Sequence, residues 1–282
     1  MIDLEQAKVG YFCTCYFGRR RLVSGWDMQL KDPALSFIIK QLEVVSTQLS
    51  VVSNVTFLCN IDEGNAEQEA SFASAKELVE SHNSTSAITW DIVSRPNRNA
   101  SYGAWAFGLD TLSSDLDYVF LMEDDYVPVL AGFDEDVIRR YFSTEEAQSN
   151  VISAVSVWVD DTLLPADRFK GSKAIRQGVA HAAVSNGIVN VSAYRSVAGG
   201  FAFSIHSPGS SEGATHRHYN AACDTQVCYL NPYTESGYRV INMSEHYRIP
   251  FISAEGHRGW VFGPPDAPAL FSPVETCSSF LQ

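Results

Sequence analysis

Tyr118–Val129 reads YVFLMEDDYVPV. Five uncharged residues, Tyr118 to Met122, run directly into three acids, Glu123, Asp124 and Asp125. An unbroken apolar run of this kind marks a strand buried on both faces, so the acids stand at the end of a core strand. Side chains alternate along a strand, which places Glu123 and Asp125 on one face and Asp124 on the other. Two carboxylates ~4 Å apart repel by about 4 kcal/mol at an intermediate dielectric. Water, a shared proton or a divalent cation relieves that repulsion. Only oxygen ligands are on offer, which suits Mg2+ or Mn2+. The plain alternative is a solvated acid cluster where a strand meets a loop.

The chain before these acids alternates strand and helix signals. VGYFCTCYF (9–17) and VTFLCNID (55–62) are buried-type strands, and AITWDIV (87–93) is a third. Leu35, Ile38, Ile39, Leu42, Val45 and Leu49 recur at helical spacing behind Pro33. A second helix is expected over 66–81 with Ala70, Ala73, Leu78 and Val79 inward. SRPNRNASYG (94–103) carries turn chemistry, with Ser101 as the cap of a helix running to Leu112. After the acids a helix start is expected at Phe133 and a further strand at VISAVSVWV (151–159). A helix is expected near 217–230, and YRVINM (238–243) with YRIPFI (247–252) reads as a late hairpin or paired strands.

Such alternation predicts an α/β fold, an open, mainly parallel sheet flanked by helices, with a smaller late β-hairpin. In that architecture ligands bind beyond the carboxyl ends of the strands. Both the acid cluster and Asp62, the last residue of the second strand, fall at that end; Asp62 also suits a turn, with Glu63 and Gly64 behind it. No repeat or linker divides the sequence. One domain over 1–282 is expected, its half at 1–160 the nucleotide-type sheet and its half at 161–282 an acceptor side with a C-terminal loop.

Composition narrows the function. A net charge of −13 over 282 residues, with no basic tract beyond Arg19-Arg20-Arg21, argues against nucleic acid as a partner. No run approaches a membrane span, and the acidic, polar start has no signal-peptide pattern, so a cytoplasmic location is expected. The six cysteines are scattered and mostly core-like, as reduced thiols would be, and Cys223 and Cys228 lack zinc spacing. Asn54, Asn83, Asn99, Asn190 and Asn242 begin Asn-x-Ser/Thr triplets, read as chance in a Ser-rich chain.

The hydrophobic strand, the E-D-D triplet, the short spacer and the aromatic helix start together resemble the GT-A fold of nucleotide-sugar glycosyltransferases. The E-D-D form is similar to that of N-acetylglucosaminyltransferase I and its relatives. The order of RPNRNASYGAWAFGL (95–109) before the acids and VISAVSVWV after them extends the resemblance over roughly 9–160. It implies an inverting, metal-dependent transfer of sugar from a UDP-sugar donor to a hydroxyl of a glycan acceptor. On that resemblance Asp125 ligates Mn2+ or Mg2+ at the donor diphosphate, and Glu123 and Asp124 hold the ribose side or a nearby water. Asp62 accepts the uracil N–H, and Arg95, Asn97 and Asn99 line the donor pocket with the backbone at Tyr16 and Phe17. His257 in AEGHRGW is the candidate late metal ligand. Asp224 in HYNAACDTQVCYL is the candidate general base, with Glu212 in the Gly/Ser loop as its rival; Asp160 and Asp161 are weaker choices. Two other readings stay open: a metal-dependent phosphohydrolase, and a Ca2+-dependent carbohydrate-binding module.

Overall fold

The computed structural model describes residues 6–18, 33–83, 86–98, 100–124, 126–128, 131–143, 151–154, 156–158, 181–183, 187–196, 239–242 and 251–253. In chain order the elements are β1 (Val9–Tyr16), α1 (Pro33–Gln48), β2 (Val52–Ile61), α2 (Ala66–Asn83), β3 (Thr89–Pro96), α3 (Ala100–Thr111), β4 (Tyr118–Glu123), β5 (Tyr126–Pro128) and α4 (Phe133–Ser143). Then follow β6 (Val151–Ala154), β7 (Ser156–Trp158), β8 (His181–Ala183), β9 (Gly187–Asn190), α5 (Val191–Ser196), β10 (Arg239–Asn242) and β11 (Phe251–Ser253).

Seven strands form one sheet in the order β10-β6-β9-β4-β1-β2-β3. Strands β1 to β4 are mutually parallel, with β1 between β2 and β4 and β3 beyond β2. β9 runs antiparallel to both β4 and β6, and β10 is parallel to β6. The expected α/β architecture is therefore present, with one reversed strand inside it. β1 is buried from Val9 to Cys15 and β4 from Tyr118 to Met122, as strands covered on both faces must be.

The two faces are covered by different helices. Tyr11, Cys13, Cys15, Phe57, Cys59 and Phe120 share a core with Ile38, Leu42 and Val45 of α1, Ala75 and Val79 of α2, and Phe133 and Val137 of α4. The opposite face meets α3, and Gly108 sets the closeness of that contact. A Cβ there would lie 2.7 Å from Phe12 Cδ2 and 2.9 Å from Leu58 Cδ1. Trp105 is fully buried in the same helix and donates its indole N–H to the Met122 carbonyl at 3.1 Å.

Local differences from the sequence reading have physical causes. β3 runs through Pro96 instead of turning at Ser94, because Pro is tolerated on an edge strand. Ser101 lies inside α3, not at its cap. In α2 the inward residues are Gln68, Ala75 and Val79, whereas Ala70 and Ala73 face solvent. The 151–159 segment divides: β6 joins the main sheet and β7 pairs with β8. The two late strands do not pair with each other, since β10 joins β6 and β11 forms a small antiparallel sheet with β5. The expected helix near 217–230 lies outside the described residues.

Two side chains bond backbone at a sheet edge and at a turn. Asn83 stands against the β3 edge, accepting from Trp90 N at 2.8 Å and donating to Trp90 O at 2.5 Å. Its carboxamide thereby replaces a missing neighbouring strand. Asp134, fully buried in the first turn of α4, accepts from the backbone N–H groups of Ser50, Val51 and Val52 at 2.7–3.0 Å. It fixes the turn by which α1 enters β2.

Cys13, Cys15 and Cys59 are free thiols, all buried, with Cys15 beside Cys59 in the β1–β2 register. Burial, then contact with Cys15, pushes the Cys13 and Cys59 thiols well above the ordinary range. The folded state therefore keeps protons that the unfolded chain releases above about pH 8.5. These thiols contribute stability below that pH and lose it as pH rises further. Urea melts across this range should show falling stability, and Ellman's reagent should react with these three cysteines only as fast as the fold opens. Immediate reaction at neutral pH would contradict the packing. Among the described residues no helix is long and apolar enough to cross a membrane.

Candidate functional site

The parallel strands β1 to β4 all end at one edge of the sheet, and polar side chains appear there in alternation. On β1 these are Thr14 and Tyr16; on and after β2, Asn60 and Asp62; on and after β3, Arg95 and Asn97. Alternation puts each pair on one face of its strand. Thr14 is level with Leu58 and Glu123, and Leu58 touches α3, so this is the α3 face.

Two hydrogen-bonded rows cross the strands. In the inner row Asn60 donates to Thr14 Oγ1 at 3.3 Å, and Arg95 donates to Asn60 Oδ1. Arg95 also donates to the Arg98 carbonyl at 3.0 Å and lies 6.0 Å from the Phe107 ring centroid. Burial, and secondarily Arg98, lowers the Arg95 pKa from its usual value, though a guanidinium stays charged throughout the working range. In the outer row the Asp62 carboxylate accepts from Tyr16 Oη at 2.9 Å, Asn97 Nδ2 at 2.9 Å and Gln68 Nε2 at 3.0 Å. The Arg98–Glu63 pair at 2.9 Å is exposed at the rim and adds little to stability.

The turn that presents Asp62 is set by Gly64, whose φ of 75° suits a residue without a Cβ. Asn65 N–H closes this turn on the Asp62 carbonyl at 3.1 Å. Asn97 N–H bonds the Ile61 carbonyl at 2.9 Å, tying the ends of β2 and β3 together.

Glu123 and Asp124 divide between the two faces as alternation requires. Glu123 is half-buried on the α3 face, where Ser101 donates its hydroxyl to Glu123 Oε1 at 2.8 Å. Asp124 is buried, its backbone bonded to Thr14 O at 3.1 Å and to Gln41 Nε2 at 2.8 Å. Gln41 belongs to α1, so this bond ties Asp124 to the helix that covers the other face.

The structure thus brings Tyr16, Phe17, Asp62, Arg95, Asn97, Glu123 and Asp124 to one sheet edge. Phe17 donates its N–H to the Asn60 carbonyl at 3.2 Å and packs its ring on Phe72, 6.0 Å between centroids. Asp125, Asn99, Glu212, Asp224 and His257 lie outside the described residues. So do Asp160 and Asp161. Among the described residues no three His, Cys, Asp or Glu side chains come close enough to hold a metal.

Thr14, Asn60, Gln68 and Ser101 escaped the sequence reading. Each had a faint signal. Thr14 and Asn60 are polar residues inside otherwise apolar strands, and buried polar groups require partners. Ser101 was weighed only as a helix cap.

No family model matches this chain, and no curated protein matches it. Solved structures do. A 4-diphosphocytidyl-2C-methyl-D-erythritol synthase from Anaerococcus prevotii is similar at 12% identity, over 69% of this chain and 74% of that chain, with a TM-score of 0.37. A CMP:2-keto-3-deoxy-manno-octonic acid synthetase complexed with CTP is similar at 7% identity, over 84% of this chain and 90% of that chain, with a TM-score of 0.43. These likenesses leave the specific relation to N-acetylglucosaminyltransferase I unsupported. The expected UDP-sugar glycosyltransferase is corrected on this finding: the matching structures named here are a diphosphocytidyl synthase and a CMP-linked synthetase, not glycosyltransferases.

Proposed function

We propose that the carboxyl edge of β1 to β4 binds a nucleotide and that the chain is an enzyme transferring a nucleotide-linked group. The observation that carries this reading is the pair of polar rows on the α3 face, Thr14–Asn60–Arg95 and Tyr16–Asp62–Asn97. A flat array of fixed acceptors and donors suits the edge of a base, and a half-buried guanidinium suits a phosphate or a ribose oxygen. The position follows the general rule for open α/β sheets, in which ligands sit beyond the strand carboxyl ends.

The acid triplet supplies oxygen donors of the kind that Mg2+ and Mn2+ prefer, and Glu123 with Asp125 would hold such an ion on one face. Bound there, the ion would neutralise charge on the phosphates. The chain's own residues then have separate tasks. Asp62 and Asn97 orient the base, Arg95 faces developing negative charge, and Ser101 keeps the Glu123 carboxylate turned towards the edge. Roles for Asn99, Asp224, Glu212 and His257 belong to the same proposal: Asn99 in the pocket wall, Asp224 or Glu212 as general base, His257 beside the metal. A single fold over 1–282 with the acceptor side in 161–282 completes it.

The test is calorimetric titration with CTP, UTP, ATP and GTP, each with Mg2+. Saturable binding of at least one nucleotide is expected, and Asn97→Ala should weaken it about tenfold, the usual worth of one well-placed hydrogen bond. Absence of binding by all four would overturn the reading.

A further inference from the structure

Gln68 sits in the third position of α2 and is 5% exposed, an unusual place for a carboxamide. Behind Asn65 it has the spacing of a capping box, in which a Glu or Gln reaches back to the N–H of the cap residue. Half of that box is formed: Gln68 N–H bonds Asn65 Oδ1 at 3.2 Å. The other half is not. Asn65 N–H goes to the Asp62 carbonyl at 3.1 Å, and the Gln68 side chain turns to Asp62 instead. Gln68 Oε1 accepts from Asp62 N–H at 2.8 Å, and Gln68 Nε2 donates to Asp62 Oδ2 at 3.0 Å.

We infer that Gln68 is the positioning residue of this site, clamping Asp62 by backbone and side chain at once so that its carboxylate is preset for a ligand. The inference rests on the nucleotide reading of the same edge. The chemistry of the clamp is specific. One contact requires an acceptor for the Asp62 N–H and the other a donor for its carboxylate, and a carboxamide presents both side by side without gaining or losing a proton. Glu would serve a capping box equally well, yet here its carboxylate would face that of Asp62 at hydrogen-bond distance and repel it. Tyr16 and Asn97 hold Asp62 from the β1 and β3 sides, so Gln68 is the arm from the helix. The other charged groups at the adjoining ends of β2, β3 and α2, among the described residues, are Glu63, Glu67, Glu69, Arg95 and Arg98.

The experiment compares the wild type, Gln68→Glu and Gln68→Ala by carboxyl-carbon NMR titration of Asp62 and by nucleotide titration with Mg2+. In Gln68→Glu the two carboxylates share a proton, so the Asp62 titration moves upward; in Gln68→Ala it moves less. Nucleotide affinity should fall at least about tenfold in Gln68→Glu near pH 8 and recover towards about pH 5.5 as the pair takes up a proton. Gln68→Ala should lose affinity without that recovery, which separates positioning from mere loss of helix stability. An unchanged Asp62 titration in Gln68→Glu would overturn the inference. So would unchanged affinity at every pH in a wild type that binds nucleotide. A wild type that binds none defeats the nucleotide reading alone, and the Asp62 titration still decides the clamp.

Discussion

Asp134→Ala is expected to lose about 3 kcal/mol of stability. The fully buried carboxylate accepts from three successive backbone N–H groups, Ser50, Val51 and Val52, of which the Val52 bond is buried and the other two part-buried. Removing it strands those donors, and each buried unmade hydrogen bond costs about 1–3 kcal/mol. Water entering the vacated space recovers part of the loss, so the sum stays below the full count. The consequence spreads, because this turn fixes the start of β2, the strand that carries Asn60 and Asp62. Urea unfolding should show a lower midpoint with an unchanged slope. A loss below about 1 kcal/mol would mean that the turn is satisfied some other way.

Asp62→Ala carries the largest expected effect on ligand binding. Three side chains, Tyr16, Asn97 and Gln68, converge on this carboxylate. Without it they lose their common acceptor and the outer polar row loses its geometry. Nucleotide affinity should fall by about 100-fold, while stability drops by only about 1 kcal/mol because the group is at the rim and water replaces it. A base-edge contact exists equally in ground and transition states, so binding should suffer more than turnover. Calorimetry beside a melting curve separates the two quantities. Wild-type affinity in Asp62→Ala would remove this residue from the site.

Much of this was legible in the sequence, for identifiable reasons. β1, β2 and β4 announced themselves because strands buried on both faces are written as continuous apolar runs. The acids stood out because three charges directly after such a run break its apolar pattern. Gly64 and Asp62 marked the β2 end through turn chemistry. What escaped depended on tertiary placement. Pro96 reads as a turn locally, and only the position of β3 at the sheet edge makes it a strand residue. Ser101 reads as a cap, and only the approach of α3 to β4 turns its hydroxyl towards Glu123. The late segments 239–242 and 251–253 look like neighbours in sequence, yet their partners β6 and β5 lie far back in the chain. Gln68 has the spacing of a capping residue, and nothing local shows that its carboxamide is directed at Asp62.

The central claim is that a nucleotide occupies the edge formed by the carboxyl ends of β1 to β4. Hydrogen–deuterium exchange with and without saturating nucleotide and Mg2+ tests it most directly. The account predicts slowed exchange at the segments Tyr16–Gly18, Asp62–Asn65, Arg95–Arg98 and Glu123–Asp124, with no change in the α1 or α4 turns. Protection elsewhere in the chain, with these four segments unchanged, would contradict it.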